Sequence, residues 1–380
     1  MKKCLAIITT HPIQYQVPLF KALEKVKELK SYVFYGCDQG VNKTKIDKDF
    51  NKKFSWNISM LSGYKFFFSK YDSNYEDWFL RFPNISKKLD KINCNCILIL
   101  GWNKIIYFQA ILYAIKKKIP IMLRAENNLN LNTNIFKKIL KNIFFRILFS
   151  FFSKIFYIGK LNKFFYLYYG VKKSKLCSAP YFVDNNFFHK KIKKSNKTFN
   201  ILFIGKFIKR KNPFDILKIA ESLKNYKNIK FTLIGDGPLL PVCQDWIRKK
   251  DISNINFRGF KNQMQMRQIY NQNHILINSS TYETWGLVVN EAMSAGVPCI
   301  ITDKTGCGPD LIIKGKTGYI YPVGNLDILK KYILKIYKNK RVYFRMSSNV
   351  KNIIKKNSIN KTAFSISRST ISLCQELKKY

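Results

Sequence analysis

The stretch Thr281-Tyr282-Glu283-Thr284-Trp285-Gly286-Leu287-Val288-Val289-Asn290-Glu291 decides how this chain is read. Glu283 stands in an extended loop, and Glu291 lies on a helix predicted to begin at Leu287. A helix N-terminus carries N–H groups without partners, so it can hold an anion such as a pyrophosphate. The two carboxylates flank that end, and ionised carboxylates only accept hydrogen bonds, so they suit the hydroxyls of a ribose and of a sugar. One group reading charge and two reading hydroxyls outline a nucleotide-sugar site.

Outward from this stretch, short apolar runs alternate with helical patterns. Strands are predicted at 4–9, 32–35, 97–100, 119–123 and 155–158, and again at 200–204, 230–234, 256–258, 275–278 and 298–302. Helices are predicted at 213–224, 239–249 and 287–294. Continuous apolar strands separated by helices imply parallel sheets covered on both faces, hence an α/β fold. The pattern restarts with its own strand and glycine turn after the polar segment 190–198. The expected organisation is therefore two Rossmann-like domains, 1–189 and 199–355, joined by a linker at 190–198 and facing across a cleft. Residues 356–380 are expected to form a C-terminal helix packing back toward the first domain. In open α/β sheets the ligand binds beyond the carboxyl ends of the strands, which puts it in that cleft.

The chain has 380 residues, 47% apolar and 24% charged, which suits folded domains with ample core. Lys and Arg number 68 against 22 Asp and Glu, a net charge of +46. Such a field draws nucleic acid, anionic lipid or phosphorylated substrates. Nine cysteines without a spacing framework point to a reducing compartment. Three histidines in no ligand cluster give no metal site. The start, MKKCLAIITTHP, lacks a full signal-peptide core and reads as a buried strand. No charge-free apolar run is long enough to span a bilayer, so a cytoplasmic protein is expected.

Gly205-Lys206 follows the 200–204 strand, and Lys211 comes six residues after the glycine. A glycine there admits a ligand close to the backbone, and two lysines can offset a diphosphate leaving group. Alone, the set arises easily in a Lys-rich chain. It is followed in order by LIGDGPL (233–239), INFRGF (255–260), Glu283-x7-Glu291 and AGVPCIITDKTGCGPDLI (295–312). From 200 to 323 this series resembles the donor-binding domain of the retaining family 4 glycosyltransferases of GT-B architecture. THPIQYQVPLFKAL (10–23), GWNKIIYFQAILYA (101–114), IPIMLRAEN (119–127) and APYFVDNNFF (179–188) resemble stretches of bacterial members that build surface polysaccharides.

The resemblance implies transfer of a sugar from a UDP- or GDP-sugar to a glycan or lipid-linked oligosaccharide of a capsule, O-antigen or lipopolysaccharide. It implies that Glu283 faces the transferred sugar and Glu291 the ribose. Gly286 and Leu287 would offer N–H groups to the pyrophosphate, with Gly205 beside them and Lys206 and Lys211 offsetting charge. Lys206 stands where many members have arginine, so bidentate phosphate contact is lost while the charge stays. Arg258, Gly259 and Phe260 would line the base pocket. The implied reaction is a front-face one that retains configuration, needing no protein nucleophile, cofactor or metal.

His11 stands where many members have a glycine-rich turn. His11 and Gln14 after the first strand, and Arg124 and Glu126 after another, are acceptor-side candidates. A mutual salt bridge is the alternative for the last two. Asp47-Lys48-Asp49 matches a metal-binding triplet of other glycosyltransferases but reads as surface loop. The turn Gly235-Asp236-Gly237-Pro238 is given no catalysis.

In 135–154, Phe136, Ile139, Ile143, Ile147 and Phe151 share one helical face, and Lys138, Lys141, Arg146 and Lys154 fall largely opposite. That is the pattern of a basic helix lying on an anionic membrane, or equally of a helix packed on its sheet. The surplus aromatics Phe144, Phe145, Phe149 and Phe152 widen the stripe. A peripheral protein on the inner face of the cytoplasmic membrane is the expectation. The rival readings are a basic protein binding nucleic acid without sequence specificity, and a GT-B sugar-nucleotide epimerase.

Overall fold

A computed structural model describes residues 2–41, 46–47, 52–53, 59–71, 74–129, 134–189 and 197–376. Most of the 190–198 stretch, and Lys48 and Asp49, lie outside the described residues. The chain divides into two compact units. The first holds most of the chain up to Tyr181 together with Ile359 onward; the second holds Phe182–Ser358 and a short antiparallel pair, β3 (Ile46–Asp47) and β4 (Lys52–Lys53).

The first unit is a seven-stranded sheet of β1 (Lys3–Thr9), β2 (Leu29–Tyr35), β5 (Lys65–Phe68), β6 (Cys96–Ile99), β7 (Ile121–Arg124), β8 (Lys154–Tyr157) and β9 (Leu176–Ser178). Its spatial order is β5-β2-β1-β6-β7-β8-β9, and every neighbouring pair is parallel. Around it lie α1 (Val17–Glu24), α2 (Ile85–Lys91), α3 (Ile105–Lys117), α4 (Ile135–Ser150) and α5 (Lys160–Tyr168). β6 carries no polar side chain, and β1 and β7 carry theirs only at their ends, because both sheet faces are covered.

The second unit begins with a short helix, α6 (Asn185–Phe188). Its sheet runs β12-β11-β10-β13-β14-β15, again all parallel. The strands are β10 (Phe199–Ile204), β11 (Ile229–Ile234), β12 (Ile255–Phe257), β13 (Ile275–Asn278), β14 (Cys299–Thr302) and β15 (Gly318–Tyr321). Its helices are α7 (Pro213–Ser222), α8 (Leu240–Lys249), α9 (Gln263–Gln272), α10 (Leu287–Ser294), α11 (Gly308–Leu311), α12 (Leu326–Tyr337) and α13 (Lys340–Ile354).

The two units meet in sequence at 181–182, ahead of the polar stretch 190–198. The reason is local. The Asn271 amide donates to the Phe188 carbonyl at 2.9 Å, and the Ser294 hydroxyl donates to the Asn185 side chain at 2.7 Å. These bonds fasten α6 to α9 and α10 before the polar stretch is reached. The last helix, α14 (Ile359–Glu376), belongs to the first unit. It buries Thr362, Ala363, Ile366, Thr370, Leu373 and Cys374, and the Thr362 hydroxyl donates to the Pro180 carbonyl at 2.9 Å.

In each sheet the first strand in sequence is central, and successive strands leave it first one way and then the other. The order reverses between β1 and β6 in the first unit and between β10 and β13 in the second. Beyond the carboxyl ends of such neighbours the outgoing loops diverge and open a crevice.

Candidate functional site

In the second unit the loops after β10 and β13 are joined across that crevice. The Ser279 hydroxyl donates to the carbonyls of Lys211 and Asn212 at 3.0 and 2.9 Å, and the Thr281 N–H donates to the Arg210 carbonyl at 2.9 Å. The loop after β14 braces the other side: the Glu283 N–H donates to the Lys304 carbonyl, and Gly306 returns a bond to the Glu283 carbonyl, both at 3.0 Å. The Glu283 backbone is thus fixed by the loop after β14, and the segment just before it by the loop after β10.

Its side chain is only 10% exposed. The Lys211 ammonium is paired with Oε1, which also accepts the Ser280 hydroxyl at 3.1 Å, and the Arg210 guanidinium contacts Oε2 at 3.2 Å. Two cations and a hydroxyl compensate one desolvated carboxylate. Arg210 and Ser280 were absent from the sequence reading. The Glu-x7-Glu spacing finds the carboxylate but not its partners, which come from other loops.

Gly286 caps α10 with φ of +97°, a left-handed conformation that glycine adopts without strain, and no side chain caps the first turn. The first N–H groups of α10, from Leu287 on, therefore point out of the helix end. Trp285 is pinned beside it, its indole N–H donating to the buried Asn290 at 2.8 Å. One turn into α10, Glu291 Oε2 accepts the Tyr270 hydroxyl of α9 at 2.5 Å. Burial pushes the Glu291 carboxyl up to about 7, against the Tyr270 hydrogen bond, which favours the ionised form.

Gly205 lies one residue past β10, with Lys206 half-buried beside it. The glycine forced by contact is Gly235. With φ of +139°, a Cβ there would stand 1.9 Å from the Gly205 carbonyl oxygen. The turn that was given no chemistry thus carries the loop that was: the Gly205 N–H donates to Ile234 at 3.0 Å, and Phe207 donates to Asp236 at 2.9 Å. The ladder continues outward, since Gly235 donates to the Gly259 carbonyl at 3.0 Å and Arg258 to Leu233 at 2.9 Å. Arg258 and Phe260 are exposed at the end of β12.

In the first unit, the loop after β1 and the end of β7 bring a second cluster together. Arg124 is buried; its Nε donates to the Ala179 carbonyl at 3.3 Å, its guanidinium lies 4.8 Å over the Tyr181 ring, and Nη2 is buried with no hydrogen-bond partner. Surrounding protein raises Glu126 to about 7, while Arg124 and a hydrogen bond from Tyr15 pull it back. Its surface is open to water, which moderates the rise. The His11 ring faces Tyr75 at 4.2 Å between centroids and shares a 2.9 Å hydrogen bond between Nδ1 and the Thr10 hydroxyl. Burial lowers His11 to about 4, leaving a neutral imidazole near pH 7. The Gln14 Oε1 is buried without a partner. Tyr15 and Tyr181 were the residues of this cluster that charge patterning did not find.

Among the described residues, no group of three or more His, Cys, Asp or Glu side chains is placed to hold a metal ion. Among the same residues, no helix is long and apolar enough to cross a membrane.

Residues 184–353 match the family described as Glycosyl transferases group 1. The Acholeplasma laidlawii alpha-monoglucosyldiacylglycerol synthase is 30% identical over 156 residues, 40% of this chain and 38% of that protein. The chain thus spans about two fifths of that relative's length. A glycosyltransferase from Rickettsia africae superposes with a TM-score of 0.74 at 14% identity, over 98% of both chains. The Anabaena protein HepE, in complex with UDP and glucose, superposes with a TM-score of 0.71 at 13% identity, over 98% of this chain and all of that one. These likenesses give the fold: two Rossmann-like domains of the GT-B kind.

Proposed function

We propose that this chain, whose residues 184–353 match the glycosyl transferases group 1 family, is a glycosyltransferase using a nucleotide-sugar donor. Its donor is a UDP- or GDP-sugar, and its acceptor is a glycan or lipid-linked oligosaccharide of a bacterial surface polysaccharide. The observation carrying this reading is the joint placement of Glu283, Lys211 and the uncapped start of α10 at one sheet crevice. HepE, of the same fold, has been seen with UDP and glucose, which supports the donor class.

In this reading Glu283 accepts hydroxyls of the transferred sugar, and Glu291, when ionised, takes those of the ribose. The N–H groups at Gly286 and Leu287 bind the diphosphate beside Gly205, with Lys206 and Lys211 offsetting the charge that grows as it leaves. Arg258, Gly259 and Phe260 line the base. Configuration is retained by a front-face reaction in which the leaving phosphate takes the acceptor proton, so no metal or cofactor enters a step. His11, Gln14, Arg124 and Glu126 serve the acceptor side, and the enzyme works in the cytoplasm against the anionic inner membrane face.

The test is nucleotide release from a panel of UDP-, GDP- and ADP-sugars, with and without membrane extract. Release that needs the extract is the expected result. Release without any acceptor indicates an epimerase instead. No release from any donor, with DNA binding that survives about 0.2 M salt, overturns the reading in favour of a nucleic-acid-binding protein.

A further inference from the structure

Helix α4 has two apolar faces, and only one is used inside the protein. Phe145, Leu148 and Phe149 are buried, with Phe152 just beyond the helix, and Phe145 packs edge-to-face on Phe165 of α5 at 5.3 Å. On the other side Phe136, Ile139, Ile143, Ile147 and Phe151 are 44–65% exposed. They recur every three or four residues and so form one stripe along the helix. The inner face packs in the core as the first reading has it, and the outer face stays exposed. Of the surplus aromatics, Phe145, Phe149 and Phe152 make the core contact, while Phe144 stays exposed with the regular stripe.

The stripe does not end with α4. On the adjoining helix α5, Leu161, Phe164 and Tyr168 are exposed at the same helical spacing. Large apolar patches of this kind mark an interaction surface on a water-soluble body. Its surroundings identify the partner. Between Glu126 and Asp184 the sequence has no acidic residue, while Lys137, Lys138, Lys141, Arg146, Lys154, Lys160, Lys163, Lys172, Lys173 and Lys175 supply cations. In the first two turns of α4, residues 135–141, every side chain is exposed, so Lys137, Lys138 and Lys141 flank the apolar stripe at the free end. A second copy of this chain would set the same uncompensated positive charge against itself. A bilayer leaflet containing anionic lipid offers both an apolar layer and opposite charge.

We infer that the outer face of α4, continued by α5, is the surface by which this protein docks on anionic membranes. Phe136, Ile139, Ile143 and Ile147 enter the headgroup boundary, and the flanking lysines meet lipid phosphates. This deepens the membrane-bound reading above and rests on it for its place in the reaction, but its physical basis is the exposed stripe and the acid-free sequence.

The experiment is co-sedimentation of the full chain with vesicles of phosphatidylcholine alone, or of phosphatidylcholine and phosphatidylglycerol in equal parts. Wild-type protein is expected on the mixed vesicles and not on the neutral ones. Phe136→Ser, Ile139→Ser and Ile143→Ser combined should lower that binding at least about tenfold. Because these side chains are exposed, the melting temperature should hold. Lys137→Gln, Lys138→Gln and Lys141→Gln combined should weaken binding and flatten its salt dependence. Equal binding by the apolar variant overturns the inference. So does absence of wild-type binding, with or without a dimer that the apolar variant dissociates. Nucleotide release with a soluble acceptor is read in parallel: a chain that docks but releases no nucleotide loses the catalytic reading and keeps this one.

Discussion

Lys211 is ion-paired with Glu283, so the cation that would face a departing diphosphate and the carboxylate that would face the sugar hold one another in place. Neither can be altered alone. Removing Glu283 releases Lys211 and Arg210 toward the phosphate site, while removing Lys211 leaves a nearly buried carboxylate with Arg210 and Ser280.

Glu283→Ala should therefore separate chemistry from nucleotide binding. We expect kcat to fall by roughly 100-fold or more, with UDP affinity unchanged or a few-fold tighter, because two cations are freed. Turnover kinetics with calorimetric titration of UDP checks it, and near wild-type kcat would remove Glu283 from the mechanism.

Glu291 gives a prediction about donor affinity. As a hydroxyl acceptor it has to be ionised, and its carboxyl is raised to about 7, so donor KM should drop as pH rises through 7. Glu291→Ala should raise KM more than it lowers kcat and should abolish this pH dependence. Tyr270→Phe removes the hydrogen bond that favours ionisation, so it should move the dependence to higher pH. Measuring KM from pH 6 to 9 in all three proteins decides the matter.

The same carboxyl affects stability with a defined sign. Between its ordinary value of 4.5 and about 7 the native state holds a proton that the unfolded chain has released. Stability therefore falls as pH rises through that window, and the full cost is present above it. Glu291→Gln should gain about 1–3 kcal/mol relative to wild type at pH 8, and little at pH 5. Urea melts at the two pH values give the comparison, and an equal gain at both would show that the carboxyl titrates normally.

These relationships show where sequence reading works and where it stops. Strands such as β10 and β13 are legible because both faces are buried and the chain writes that as an unbroken apolar run. Sequence reading misses the short pair β3 and β4 and, in the two large sheets, β5, β9 and β15, which lie at sheet edges and so lack the two-faced burial that writes an unbroken apolar run. In the site, Glu283 and Glu291 are visible because they sit on one loop-helix segment. Arg210, Ser280 and Tyr270 reach them from other segments, a proximity that only the folded topology creates. The turn at 235–238 reads correctly as a turn, yet its location against Gly205 gives it a task that no local pattern records.

That location yields a further prediction. Gly235→Ala places a Cβ against the Gly205 carbonyl in a backbone conformation alanine avoids, so it should destabilise by about 2 kcal/mol or more. Below its melting point the variant should still lose donor turnover, because the displaced loop carries Lys206 and Lys211. A fully active variant would show that the loop tolerates the shift.

EDTA should leave sugar transfer largely intact, since the proposed mechanism assigns charge compensation to Lys206, Lys211 and backbone N–H groups. Dialysis against chelator followed by assay, with and without added magnesium or manganese, checks this. A strict metal requirement would count against that assignment.

Helix α14 has a consequence for how the protein is made. It follows the second unit in sequence yet supplies buried side chains to the unit whose strands come first. On a ribosome the early sheet emerges without that cover and waits while residues 182–358 are synthesised. The later unit, whose segment is continuous, can complete its core while the earlier one is still missing a wall. Until α14 is made, the surface it covers in the first unit is left open.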